Sequence, residues 1–322
     1  MTKNVLAQRM TKSALQGLIV CLALLCSFNF YGQTKQPFAA SVKRILFLGN
    51  SITYAGIYIT DIETYIVAHY PGTDYEFINV GLPSETVSGL SEPNHAGGKF
   101  LRPDLHERLA RVLAQTKPDV VLACYGMNDG IYMAYDEQRF SAFRSGILWL
   151  HEELVKTGVT RIIHLTPPVH DDQKLGTNGY NLVLDKYSSW LLAQRDSIHW
   201  EVADIHFPMT TYLNDERKTN PSFKLAADGV HPGKTGHWLM ARAILMYLGQ
   251  PVDDVPDIQA ALAGNKNGMK IFELISKRQA IMKDAWLGAT GHQRPEMKKG
   301  LPLAEALQQY KQVQVQIRET NR

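Results

Sequence analysis

A serine, an asparagine and an aspartate–histidine pair, set in separate blocks of the chain, make a group able to carry acyl transfer. Ser51 follows the apolar run Arg44-Ile45-Leu46-Phe47-Leu48 and the pair Gly49-Asn50. A serine at the carboxyl end of a buried strand stands where open α/β sheets place their ligands. A helix amino terminus close behind it favours developing negative charge. Asp228-Gly229-Val230-His231 offers the base that a serine hydroxyl needs before it becomes a nucleophile. The aspartate, three residues earlier, is placed to take the other ring N–H. Asn79-Val80-Gly81-Leu82-Pro83-Ser84-Glu85-Thr86 and Tyr125-Gly126-Met127-Asn128-Asp129-Gly130 follow two further apolar runs. The backbone N–H groups of Ser51 and Ser84, with the Asn128 amide, would hydrogen-bond a tetrahedral oxyanion, each donor worth roughly two to three orders of magnitude in rate. Each block alone has a plainer reading: Ser51 and Thr53 cap a helix, Asp-x-x-His is structural, and Gly-x-Asn-Asp is a turn. Their occurrence together, each beside a strand end or a helix, favours chemistry.

The elements that must position them alternate along the chain. Apolar runs at 44–48, 75–80, 119–125, 161–165 and 200–205 read as five short strands. Helical periodicity lies between them: Ile59, Ile62 and Ile66; Leu105, Leu109 and Val112; Phe140, Phe143, Ile147, Leu150 and Leu154; Val183, Tyr187 and Trp190; Met240, Ile244 and Leu248. Asp104 with Glu107 reads as a capping box. Gly249 and Pro251 close the last of these helices. Such alternation is the mark of βαβ units, so the fold class is α/β with a mostly parallel five-stranded sheet between helical layers. Parallel strands deliver their carboxyl ends to one rim, where Ser51, Ser84 and Asn128 converge. The segment 81–102 is a long loop rich in Gly, Pro, Ser and His, and loops of that length are usually functional. Beyond a linker at 251–256, residues 257–322 carry two helical stretches around Gly288–Gly300, read as a packed helical appendage.

The chain of 322 residues carries a net charge of only +3, which gives no reason to expect nucleic acid as a partner. Lys3, Arg9 and Lys12 precede an apolar stretch that is short for a transmembrane span, so residues 1–32 read as a cleaved signal peptide. The expected protein is exported, periplasmic or secreted, and not membrane-bound. Cys21 and Cys26 fall inside that segment, leaving Cys124 and no internal disulfide. His164, His170 with Asp171 and Asp172, His199 and His206 match no familiar ligand spacing, so neither a metal nor another cofactor is expected. Trp190 and Trp238 read as core. Tyr54, His95 and Arg102 are candidate substrate contacts.

These blocks resemble those of the SGNH (GDSL-type) hydrolase family, esterases named for a serine, a glycine, an asparagine and a histidine in separate blocks. Gly49-Asn50-Ser51-Ile52-Thr53 is similar to the first block, 79–86 to the second, Gly126-Met127-Asn128-Asp129 to the third and Asp228-Gly229-Val230-His231-Pro232 to the last. The resemblance covers about 42–250 and implies a flavodoxin-like three-layer sandwich. It also implies a Ser51–His231–Asp228 triad with Ser51, Ser84 and Asn128 as the oxyanion hole. The family's usual aspartate before the nucleophile is Asn50 here, and its oxyanion glycine falls on Ser84, with Gly81 as the alternative.

The resemblance, with the leader, implies an exported esterase acting on acetyl or other short-chain esters, closest in character to the family's carbohydrate esterases. Its substrate would be an acetylated glycan or a small ester. A broad-specificity short-chain carboxylesterase or lysophospholipase-like enzyme is the alternative, and a non-catalytic glycan-binding protein is the reading from another class. The oligomeric state is not written in the sequence.

Overall fold

The computed structural model describes residues 36–171 and 179–322, so the leader at 1–32 and Asp172 lie outside the described residues. Five strands form one sheet: β1 (Arg44–Gly49), β2 (Glu76–Asn79), β3 (Val120–Cys124), β4 (Arg161–Leu165) and β5 (Glu201–Ala203), in the order β2-β1-β3-β4-β5. Every pairing is parallel. β1 and β3 are nearly continuous apolar runs because both faces of a parallel sheet are covered by helices. The strand order reverses at β1, so the crevice between the carboxyl ends of β1 and β3 is the switch point where such sheets bind ligands.

Around the sheet run α1 (Ser51–Ala55), α2 (Ile57–His69), α3 (Leu109–Thr116), α4 (Glu137–Lys156), α5 (Asn181–Ser197), α6 (His206–Thr219) and α7 (Lys234–Tyr247). Three C-terminal helices follow: α8 (Ile258–Ala261), α9 (Gly268–Thr290) and α10 (Leu303–Thr320). Gly249, in the left-handed conformation just after α7, ends that helix as the sequence predicts.

Two elements differ from expectation. The region from Leu105 is a 3₁₀ turn, Leu105–Glu107, and the α-helix starts only at Leu109. Asp104 caps the turn by accepting from the His106 N–H, whereas Glu107 pairs with Arg111. The break falls at Arg108, whose guanidinium is drawn inward to a buried carboxylate described below. The other surprise is α6, whose buried Met209 and Leu213 give a thin apolar stripe.

The C-terminal helices pack into the main core through Met282, Ala285, Trp286 and Ala306. A second apolar cluster, Ile271, Ile275, Val313 and Ile317, joins α9 to α10. Arg278 of α9 donates to Glu63 of α2 at 2.6 Å, and both are buried. Gln279 completes the carboxylate at 2.7 Å. Gly300 lies against the backbone of α9, where an added Cβ would come within 2.3 Å of the Asp284 carbonyl carbon. Among the described residues no helix is long and apolar enough to cross a membrane.

Candidate active site

β1 ends at Gly49, and Asn50 turns the chain into α1. Asn50 is buried in an extended conformation, and its side chain accepts from the Ile52 N–H at 3.1 Å. It is the N-cap of the helix that carries Ser51. Asparagine caps as well as aspartate, which accounts for the departure at this position.

Ser51 Oγ lies 2.8 Å from His231 Nε2, and His231 Nδ1 lies 2.7 Å from Asp228 Oδ2. Asp228 Oδ1 accepts from the backbone N–H groups of Val230 and His231 at 2.9 and 2.8 Å, so one carboxylate folds the turn and orients the ring. Burial alone would raise the Asp228 pKa, but the hydrogen bonds from His231 and Val230 outweigh it and hold the carboxyl down at about 2. An ionised carboxylate only accepts, so His231 Nδ1 carries the hydrogen and Nε2 accepts from the serine hydroxyl. The His231 and Asp228 side chains are 50% and 57% exposed, so the relay opens directly to solvent.

The second block is bound to α1 from below. Asn79 Nδ2 donates to the Thr53 carbonyl at 2.7 Å and its Oδ1 accepts from the Gly81 N–H at 2.9 Å. A Cβ on Gly81 would come within 2.3 Å of the Tyr54 nitrogen, so glycine is required here by close approach to α1. Its N–H is already engaged. Ser84, in contrast, has φ 69°, the left-handed conformation that glycine adopts freely and a serine does not. No hydrogen bond within the described residues engages the backbone N–H of Ser51 or of Ser84.

Beneath Ser84 lies a buried polar network. Glu85 receives two bonds from Arg108, at 2.6 and 2.7 Å, and one from the Tyr125 hydroxyl at 2.7 Å. Arg108 also donates to the Val80 carbonyl at 2.8 Å. The Glu85 carbonyl accepts from Asn128 Nδ2 at 3.1 Å, joining the second and third blocks. One amide hydrogen of Asn128 is used there and the other remains for a ligand. Asp129 accepts from the N–H groups of Val87, Ser88 and Gly126 and pins the long loop to the end of β3.

One residue that the sequence did not mark is Tyr132. Its hydroxyl donates to Asn128 Oδ1 at 2.9 Å, which fixes the amide so that Nδ2 points away from it. Tyr132 and Ile131 both have positive φ, 55° and 47°, so the chain is strained where it brings this ring to the asparagine. Arg102 stacks on Tyr132 at 5.3 Å and is itself clamped by Glu92 through two bonds of 2.7 Å. Arg102, expected to face substrate, is thus nearly sealed inside the long loop. His95 contacts Glu92 at 3.3 Å and the edge of Phe100 within the same loop. Tyr54 donates to Asp284 at 2.8 Å and lies under the Lys283 ammonium, 4.1 Å from its ring centre. Burial and the Asp284 carboxylate push the Tyr54 hydroxyl up to about 12. It fastens α9 to α1.

The remaining histidines are scattered. His164 is fully buried against Trp200 and 3.0 Å from His151, and burial pushes it down to about 3. His206 meets Asp185 at 2.6 Å. Among the described residues no three His, Cys, Asp or Glu side chains cluster as metal ligands do.

Residues 47–239 match the model of the GDSL-like lipase/acylhydrolase family. The chain belongs to that family. It is an ester-hydrolysing enzyme. Solved structures share the fold. One is an acetylxylan esterase from Geobacillus stearothermophilus, 23% identical with a TM-score of 0.51, covering 65% of this chain and 95% of that one. Another is an alpha/beta hydrolase from the metagenome of Lake Arreo, Spain, 21% identical with a TM-score of 0.52, covering 67% and 98%. A third is a gut microbial diltiazem-metabolizing enzyme, 22% identical with a TM-score of 0.54 over 67% of this chain. The match spans about half of that longer protein, 49%. No curated protein matches the chain.

Proposed function

We propose that this acylhydrolase is an exported serine esterase that removes short acyl groups, acetyl above all, from a polysaccharide or oligosaccharide. The observation that carries the reading is the unbroken hydrogen-bond chain from Asp228 through His231 to Ser51, at 2.7 and 2.8 Å. In this mechanism His231 Nε2 takes the Ser51 proton as Oγ attacks the ester carbonyl. Asp228 stabilises the imidazolium that forms. The oxyanion is held by the N–H groups of Ser51 and Ser84 and by Asn128 Nδ2; Gly81 is set aside because Asn79 already holds its N–H. His231 then returns its proton to the departing sugar oxygen, leaving an acetyl-enzyme. Water, activated by the same histidine, releases acetate.

Three features support the finer points. The solvent-open relay suits a bulky leaving group carrying a small acyl group. An acetylxylan esterase has the same fold. A basic segment followed by an apolar run at the start of the chain supports export. The test is acetate release from acetylated xylan and other acetylated polysaccharides, with a series of acyl chain lengths alongside. Activity confined to acetyl and similarly short esters is expected, whereas efficient turnover of long acyl chains would sink the reading. Ser51→Ala should lower kcat by on the order of 10⁴-fold or more.

A further inference from the structure

Six carboxylates are buried among the described residues, and five of them have partners. Glu63 meets Arg278 and Gln279, and Glu85 meets Arg108 and Tyr125. Asp129 takes three backbone N–H groups, and Asp171 takes those of Leu225 and Ala226 together with Arg217. Asp284 receives the Tyr54 hydroxyl. The sixth is Asp61, on α2, only 3% exposed and without a hydrogen bond or ion pair to any described residue. Burial of this kind is costly for a charged group unless something pairs with it.

Asp61 lines a cavity of about 680 Å³ enclosed by α2, α7 and the C-terminal helices. That volume is in the range of small-molecule sites. Apolar and aromatic side chains, Ile57, Trp238, Ile258, Met269 and Phe272 among them, share its wall with polar ones. The other carboxylate there, Asp257, is exposed and already accepts from the Ala260 N–H as the cap of α8. Two lysines also border it, and neither pairs with Asp61. Lys283 is held by the Tyr54 carbonyl at 3.2 Å and by the ring above it, and Lys234 is exposed to solvent. A carboxylate facing aromatic and thioether surfaces is the complement of an ammonium group with an apolar body.

We propose that this cavity is a binding site for a small organic amine or quaternary ammonium compound, whose cationic nitrogen pairs with Asp61 while its apolar part rests on the aromatic walls. The site is separate from the ester-cleaving rim, since neither Ser51 nor His231 lines it. Burial, unopposed by any partner, pushes Asp61 up to about 7, and a cation bound beside it would favour the ionised form. The C-terminal helices thereby gain a role as the roof of a ligand pocket.

The test is isothermal titration calorimetry of the full chain with phenethylammonium chloride in mildly alkaline buffer, with 2-phenylethanol as the uncharged counterpart. Saturable binding of the amine is expected, with 2-phenylethanol bound far more weakly. Asp61→Asn, which keeps the shape, should weaken amine binding by roughly tenfold or more. Met269→Trp, at a half-exposed position on the cavity wall, should weaken it by obstruction without touching the charge. Ser51→Ala should bind as the parent does. Equal affinity of the parent and Asp61→Asn, equal affinity for the alcohol, or no saturable binding at millimolar amine would overturn the proposal.

Discussion

The Ser51–His231–Asp228 relay and the Glu85–Arg108–Tyr125 network lie on the same rim and are built in opposite ways. The relay is half exposed, joined by one bond at each link, and its histidine and aspartate belong to a single turn. The network is sealed from solvent, and its carboxylate takes three bonds. Under the proposed mechanism the first group exchanges protons with substrate and water, which needs access and freedom to change charge. The second holds the proposed oxyanion donors in place, which needs the reverse. Damage to the first should therefore cost activity far more than stability, and damage to the second should cost both.

Asp228→Asn gives the sharpest version of the first half. Losing the acceptor that faces Nδ1 allows the wrong imidazole tautomer, and kcat should fall by about 10³- to 10⁴-fold. The urea midpoint should fall only modestly, because the Asn Oδ1 still accepts from the Val230 and His231 N–H groups. The pH profile adds a check. A carboxyl held at about 2 against an ordinary 3.8 favours the fold above its unfolded value, and that contribution is lost only as pH falls toward about 2. Asp228 therefore stays ionised in mild acid and adds no proton of its own to the acid limb of kcat/KM, which should drop with unit slope. A slope of two in that range would refute the assignment.

Glu85→Ala tests the second half. It leaves the Arg108 guanidinium buried without its partner, which should cost about 3–5 kcal/mol by chemical denaturation and lower activity as Ser84 and Asn128 lose their support. If Glu85→Ala proved as stable as the parent, the contrast between the two regions would collapse. Tyr132→Phe is subtler: it removes only the bond that orients Asn128. A fall of about tenfold in kcat at unchanged KM is expected, since the amide acts on the oxyanion and not on the resting ester. Equal changes in both parameters would make Tyr132 a packing residue. The smallest effect is a gain. Ser84→Gly relieves a left-handed serine and should stabilise the fold by about 1 kcal/mol, a rise in Tm of roughly 2–4 °C, with its backbone N–H and hence activity retained.

Much of this was legible in the sequence where local pattern and burial agree. β1, β3 and β4 stand out because strands covered on both faces read as continuous apolar runs. Ser51, His231 and Asp228, which the fold brings into one hydrogen-bonded row, were legible as candidates because each stands at a strand end or in a tight turn. The missing parts depend on partners that no local pattern shows. Tyr54 reads as a rim aromatic until Asp284, 230 residues later, claims its hydroxyl. Arg102 reads as a free cation until Glu92 encloses it within the loop. The apparent capping box at Asp104 opens a 3₁₀ turn instead, and the helix begins only after Arg108, whose side chain runs inward to Glu85, a partner no local pattern shows. Helix α6 is hard to read because Met209 and Leu213 are its only buried apolar residues, with Phe207 and Tyr212 half buried, although the spacing of four is a signal.

Ser51 and His231 are separated by 180 residues, and the bond between them spans most of the fold. Under the proposed mechanism, the hydroxyl and its base therefore become one chemical unit only after every strand of the sheet has been laid down and the last core helix has docked. A ribosome-bound or partly refolded chain that contains Ser51 but lacks a seated α7 has no means of taking its proton. Recovery of ester cleavage after dilution from denaturant is thus a clock for the final long-range docking step, and it should lag behind the return of helical circular dichroism.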